Sequence, residues 1–232
     1  RKGILSAIGA YIIWGFIPLF FKQLQAVPAL HVTMHRIIWS FVLLLGVIFM
    51  SKQHVILFKS LNLRTFAFYS LAAILIAINW FTYVWGVNNG FVVETSLGYF
   101  INPLVSVILG ILFFKEKPRP LQWLPIALAA IGIVYLTITY GSLPWISLIL
   151  ATSFGLYGLI KKLARLPAMV GLTIETGILF IPALAYILIV PAPVLQSGIS
   201  GSGGLILLLI ASGALTALPL HLFAVATPRI PL

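Results

Sequence analysis

The sequence predicts an all-α, polytopic membrane protein, and three observations predict it: the composition, a series of long apolar runs, and a one-sided distribution of basic residues. Of 232 residues, 62% are hydrophobic and only 7% charged, with a mean hydropathy of +1.17. A water-soluble domain carries about a quarter charged residues, so that class is excluded. Disorder needs few apolar residues and many charges, and is excluded too. The 19 glycines and 14 prolines show no collagen period. At about 20 apolar residues per span, the chain holds at most about eight or nine spans.

Eight apolar runs are bounded by charge or by Gly and Pro: 3–21, 29–50, 66–88, 92–114, 121–140, 144–160, 168–190 and 204–227. Their connections sort the basic residues. Arg1, Lys2, Lys52, Lys59, Arg64, Lys115, Lys117, Arg119, Lys161, Lys162, Arg165 and Arg229 fall on one side, twelve of the 14. Lys22 stands alone on the other side, and Arg36 lies inside a span. By the positive-inside rule the N-terminus is cytoplasmic, and the net charge of +11 reports topology rather than nucleic-acid binding. The acids are Glu94, Glu116 and Glu175, with no aspartate and no cysteine. Disulfides and thiolate metal sites are thereby excluded.

The first span carries Trp14, and with no cleavable segment before it is expected to act as its own signal anchor. The second holds His31, His35, Arg36 and Trp39. The two histidines are spaced i, i+4, but HVTMH lacks the glutamate of HExxH and a third ligand, so no metal site is expected. Arg36 lies roughly 10 Å from the outer edge and reads as an outer polar gate, against snorkelling to the interface as the rival. In the third span Asn79, Tyr83 and Gly86 form one stripe, with Trp80 beside it and Trp85 a turn further on.

The fourth span opens with Glu94, which reads as a helix cap. Thr95, Tyr99, Asn102 and Ser106 follow at i, i+4, i+7 and i+11, one continuous face. Asn102 lies roughly 15 Å deep, at the midplane. Pro103 removes a donor beside it and frees carbonyls towards a cavity. Glu116, among Lys115, Lys117 and Arg119, reads as an anchor on the cytoplasmic rim. Trp123 and Trp145, near the starts of the fifth and sixth spans, read as interfacial belt residues, and the sixth also supplies Tyr157. The seventh contains Glu175, roughly 10 Å from the inner edge, an inner gate and a candidate proton-carrying carboxylate. In a core about 30 Å thick, Arg36 and Glu175 are not expected to form a direct salt bridge. The GISG at 198–201 precedes the eighth span with its His221, which superficially suggests a serine-hydrolase dyad, but GISGSGG also reads as a flexible linker.

Sliding the chain on itself aligns 22–36 with 161–175 at an offset of 139, pairing Lys22 with Lys161, Leu24 with Leu163, Pro28 with Pro167 and Ala29 with Ala168. Both segments connect a repeat's first and second helices. A five-helix repeat is odd, so its second copy is inverted, a transporter feature with the substrate site near the midplane. The expected organisation is a first repeat over 1–140 and a second over 141–232 that stops after its third helix, hence eight helices of an expected ten.

The stretches AIGAYIIWGFIPLFFK, HRIIWS and NWFTYVWGVNNGFVVETSLGYFINPLVSVILGILFFKEKP resemble the EamA-type drug/metabolite transporter superfamily, most of all its RarD branch, associated with chloramphenicol sensitivity. The resemblance implies a ten-helix bacterial inner-membrane carrier, and favours export. The expected function is secondary transport of a small amphipathic metabolite or drug-like molecule by alternating access. Trp14, Trp39, Asn79, Trp80, Tyr83, Tyr99, Asn102 and Tyr157 are the candidate substrate contacts, and Arg36 and Glu175 the candidate gating or coupling groups. Helix-to-helix bonding is the rival role for the amides and hydroxyls. The alternative functions are an intramembrane hydrolase and a non-transporting accessory subunit. No GxxxxGK[ST] loop is present, so ATP drive is not expected. No cofactor is expected. The expected partners are the substrate, the lipid bilayer and, as an option, a second copy in a homodimer, but no nucleic acid.

Overall fold

The computed structural model of the chain describes every residue except 1, 116–120, 122, 142, 165, 193–201 and 227–232. The expectations for Glu116, for the GISG segment and for the basic residues Arg1, Lys117, Arg119, Arg165 and Arg229 therefore lie outside the described residues. Those that are described form nine helices and no strand: α1 (Lys2–Lys22), α2 (Ala29–Met50), α3 (His54–Ser60), α4 (Leu63–Asn88), α5 (Val92–Phe114), α6 (Trp123–Tyr140), α7 (Trp145–Ala164), α8 (Ala168–Ile189) and α9 (Ser202–Ala226). In hydrocarbon every backbone polar group must be satisfied within its own segment, which makes helices of these apolar runs.

Seven of the nine are long and apolar enough to cross a membrane, against the eight spans expected from the sequence. The difference lies at 121–140. Helix α6 is there, but its described apolar stretch is Ile126–Thr139. The whole of α6 is 18 residues, about 27 Å at 1.5 Å per residue and close to a hydrocarbon core of about 30 Å, so the difference is one of described residues and not of a missing helix. The second difference is α3, a short helix inside the 51–65 connection, where only a loop was expected.

The chain divides into two compact units, residues 1–73 with 165–232, and residues 74–164. These units group helices by packing, a different property from the internal repeat. In the first, α9 packs against α1 and α2, and α2 against α8. Its buried side chains include Phe21, Leu24, Ile37, Leu44, Tyr69 and Leu209. Lipid is as apolar as leucine, so close packing rather than the hydrophobic effect holds such helices together. Gly213 shows how close: a Cβ there would stand 2.5 Å from the backbone carbon of Trp39 and 2.7 Å from the nitrogen of Ser40. Ser40 Oγ also donates to the Gly213 carbonyl at 3.4 Å. Helices α2 and α8 start alike, on Pro28 (φ −53°, ψ 134°) and Pro167 (φ −53°, ψ 139°), the two prolines paired by the repeat alignment.

In the second unit the dominant packing is α5 against α7, with α6 beside α5. A Cβ on Gly98 would lie 2.9 Å from Leu150 Cβ, so glycine again sets the helix separation. Ser147 Oγ donates to the Glu94 carbonyl at 2.6 Å, tying the starts of α5 and α7. Trp145 and Phe91 both pack against Trp85 at that end, with ring centroids 5.5 and 5.6 Å from it.

Candidate functional site

Within the second unit, α4, α5 and α7 enclose a recess lined by Asn79, Gly98, Tyr99, Asn102, Leu150 and Phe154. It holds about 220 Å3 of empty space, counting its open mouth. Most of that space is the open mouth, and the enclosed part has room for no more than about one water-sized group.

The two asparagines differ in what they do there. Asn79 is buried, and its Nδ2 donates to the Leu150 carbonyl at 2.9 Å and to Ser153 Oγ at 3.1 Å. Ser153 Oγ in turn donates to the Ile149 carbonyl at 2.6 Å, so it is free to accept. Asn79 thus ties α4 to α7. Asn102 is half-buried, and its Oδ1 is buried with no hydrogen-bond partner among the described residues. An amide oxygen left so is costly, about 1–3 kcal/mol, and a ligand donor would relieve it. Tyr99, largely exposed, meets Tyr83 edge to face at 6.0 Å. Pro103 follows Asn102 inside α5.

The first unit carries a second polar cluster. Arg36 is buried, only 7% exposed. Its Nε donates to Thr216 Oγ1 at 2.6 Å, and its guanidinium lies 5.4 Å from the centre of the Phe21 ring. Thr216 Oγ1 in turn donates to the Ser212 carbonyl at 3.0 Å. Glu175 is fully buried on α8, between Thr173 and Thr176, whose hydroxyls donate to carbonyls one turn back. Tyr69, also fully buried, is its electrostatic neighbour.

The structure brings Asn79, Tyr99 and Asn102 together in one recess. Trp80 and Tyr83 are buried on α4 of the same unit but do not line it. Nor does Tyr157, whose ring faces Phe154 at 5.8 Å and receives the Lys161 ammonium at 5.4 Å. The expected α5 face divides: Thr95 is buried and donates to the Val92 carbonyl, while Ser106 is exposed. Trp14 and Trp39 belong to the first unit, each half-buried, Trp14 edge to face with Tyr11. Gly98, Leu150 and Phe154 were not foreseen. The only trace of them in the sequence is helical spacing, with Leu150, Phe154 and Tyr157 at i, i+4 and i+7. The His31 ring packs on Tyr186 at 5.0 Å, and no group of three metal-ligating side chains occurs among the described residues.

Long apolar helices with amides and charges buried among them define a class, the multi-pass helical membrane protein with intramembrane polar sites. Residues 1–138 match the EamA-like transporter family, and the chain belongs to that family and to its RarD branch. The chain is 47% identical over 240 residues to the Uncharacterized transporter YojE of Bacillus subtilis, which covers all of this chain and 78% of that protein. It is 42% identical over 233 residues to the Protein RarD of Streptomyces exfoliatus (100% and 74%), and 41% identical over 238 residues to the Protein RarD of Escherichia coli (100% and 79%). No solved structure matches the chain. It is a membrane transporter, and the names of the family and its members are those of transporters rather than enzymes.

Proposed function

We propose that the protein is a secondary carrier that exports small amphipathic metabolites or drug-like molecules by alternating access. The observation that carries this reading is the Asn102 Oδ1, a buried acceptor without a partner at a recess walled by Tyr99 and Phe154. A substrate would place an N–H or O–H donor on that oxygen and an apolar part against the rings, the mixture of few polar groups and many apolar ones that small-molecule sites use. The recess is small, so it takes the recognised end of the molecule. Tyr83 braces the lining residue Tyr99, edge to face at 6.0 Å. Arg36 and Glu175 are the gating and coupling groups, with Glu175 carrying the proton. The protein resides in the bacterial inner membrane with its N-terminus in the cytoplasm, as the basic residues indicate.

The test is flux. The protein is reconstituted in vesicles and screened with amphipathic amines and amides, with and without a pH gradient. Saturable flux is expected, reduced at least about tenfold by Asn102→Leu, the loss of one buried hydrogen bond to substrate. Glu175→Gln is expected to leave downhill exchange and abolish the response to the pH gradient. Unchanged flux in Asn102→Leu would sink the assignment of the recess, and an unchanged gradient response in Glu175→Gln would sink the coupling role.

A further inference from the structure

Helices α2 and α4 both qualify as spans, so the segment joining them, residues 51–62, lies at one face of the membrane. It is not a slack loop. Lys52 takes a left-handed conformation (φ 56°), and Gln53 N–H returns to the Ile48 carbonyl at 3.0 Å, closing α2 with a Schellman-type turn. His54 then stacks on Phe49 at 5.4 Å and α3 begins. Asn62 Oδ1 accepts from Thr65 N–H at 2.9 Å and caps α4. Both ends of the segment are therefore held by local hydrogen bonds; Leu57 is the buried residue of α3, and α3 packs on α8.

What this rigid segment presents outward is unusual for a connection. Val55, Ile56 and Phe58 are 49%, 43% and 60% exposed, and Leu63 follows at the start of α4, more exposed still. Lys52, Lys59 and Arg64 are exposed among them. Residues 51–65 contain no acid, and none of the three cations forms an ion pair among the described residues. Arg64 instead rests over the Phe68 ring at 5.8 Å, which holds its guanidinium at the foot of α4. An aqueous loop has no use for four bare apolar side chains, and a purely apolar environment has none for three cations. The environment that takes both is the headgroup layer, where rings and branched chains enter the acyl boundary and Lys or Arg reaches phosphate.

We propose that residues 51–64 form an interfacial anchor that binds anionic phospholipid headgroups. Lys52, Lys59 and Arg64 engage the phosphates, and Val55, Ile56 and Phe58 seat the segment in the same leaflet. That this leaflet is the cytoplasmic one rests on the inward N-terminus proposed above; the lipid preference itself does not. Such a basic cluster beside a span selects anionic lipids by charge, at roughly a fivefold gain per basic residue, the equivalent of about 1 kcal/mol.

The protein is reconstituted in phosphatidylcholine vesicles carrying spin-labelled phosphatidylglycerol or spin-labelled phosphatidylcholine, and the motionally restricted fraction gives the relative association of the two lipids. Wild type is expected to prefer phosphatidylglycerol. The triple variant Lys52→Gln, Lys59→Gln, Arg64→Gln is expected to lose at least fivefold of that preference, and Lys52→Arg, Lys59→Arg, Arg64→Lys to keep it. Free glycerol phosphate added at millimolar concentration is expected not to displace the lipid, since it lacks the acyl chains. A glutamine variant with undiminished preference, a wild type with none, or full displacement by glycerol phosphate each overturns the proposal. If the arginine/lysine exchange loses the preference as fully as the glutamine variant, charge is not what selects the lipid and the proposal falls as well. Failure of the transport reading would appear separately, as absent flux with the lipid preference intact.

Discussion

Asn79 and Asn102 are the same side chain lining one recess from two helices, yet their partners give opposite expectations for substitution. Asn79→Leu removes two bonds that join α4 to α7. Interhelical bonds in membranes are worth about 0.6–2 kcal/mol each, so the variant should unfold that much more readily by steric trapping or thermal unfolding in detergent. Asn102→Leu removes an acceptor that has no partner, so it should leave stability unchanged or raise it while flux falls. Equal destabilisation by both would mean that Asn102 also serves packing. Spacing alone marked both residues as candidates, but could not separate them, because the partners that occupy Asn79 come from a helix some seventy residues later. The same holds for Arg36, whose acceptor Thr216 lies on a helix some 180 residues later. A double-mutant cycle of Arg36→Gln with Thr216→Val should return a coupling of about 1–3 kcal/mol, as for a bond with one charged partner, and additive losses would deny the bond. Gly98, Leu150 and Phe154 stayed invisible because apolar and small residues are the background of every span.

Helices were legible wherever an apolar run was long enough to cross a membrane, since in lipid little but a helix can satisfy the backbone. The boundaries expected for the second and fourth spans, 29–50 and 92–114, coincide with α2 and α5. Helix α3 was not legible, because seven residues between two spans look like loop, and only the fold shows Leu57 buried on it. Contacts between helices are a further step removed from sequence, and glycine is where they become testable. A Cβ on Gly213 would meet the backbone of α2, which cannot rotate aside. Gly213→Ala should therefore cost about 1–3 kcal/mol through forced separation of α2 and α9. Gly132 on α6 has nothing within 4 Å of the same position among the described residues. Gly132→Ala should be neutral or stabilising by up to about 1 kcal/mol, the helix propensity gain of alanine over glycine. Thermal unfolding of the two variants side by side tests the contrast, and a neutral Gly213→Ala would show that the two helices are not so closely applied.

For the molecule as a whole, composition identified the membrane and the placement of twelve of 14 basic residues suggested an orientation; packing then divided the chain into two units, with one boundary inside α4, that no pattern in the sequence announced. Orientation has both a relative and an absolute part, and they rest on different physics. Helix α4 runs unbroken from Leu63 to Asn89's neighbour Asn88, 26 residues. At 1.5 Å per residue that is about 39 Å, more than the roughly 30 Å of hydrocarbon, long enough to put Lys59 before it and Asn89 after it on opposite faces. Which face is which depends only on charge. The chain has no cysteine, so single cysteines can be introduced without a background to remove. In intact cells a membrane-impermeant maleimide should label Asn89→Cys and leave Lys59→Cys unlabelled until the membrane is opened. Removing Lys59 takes one charge of twelve and should not disturb the bias. The reverse pattern would overturn the cytoplasmic N-terminus while leaving α4 as a span, whereas labelling of both in intact cells would deny that α4 crosses at all.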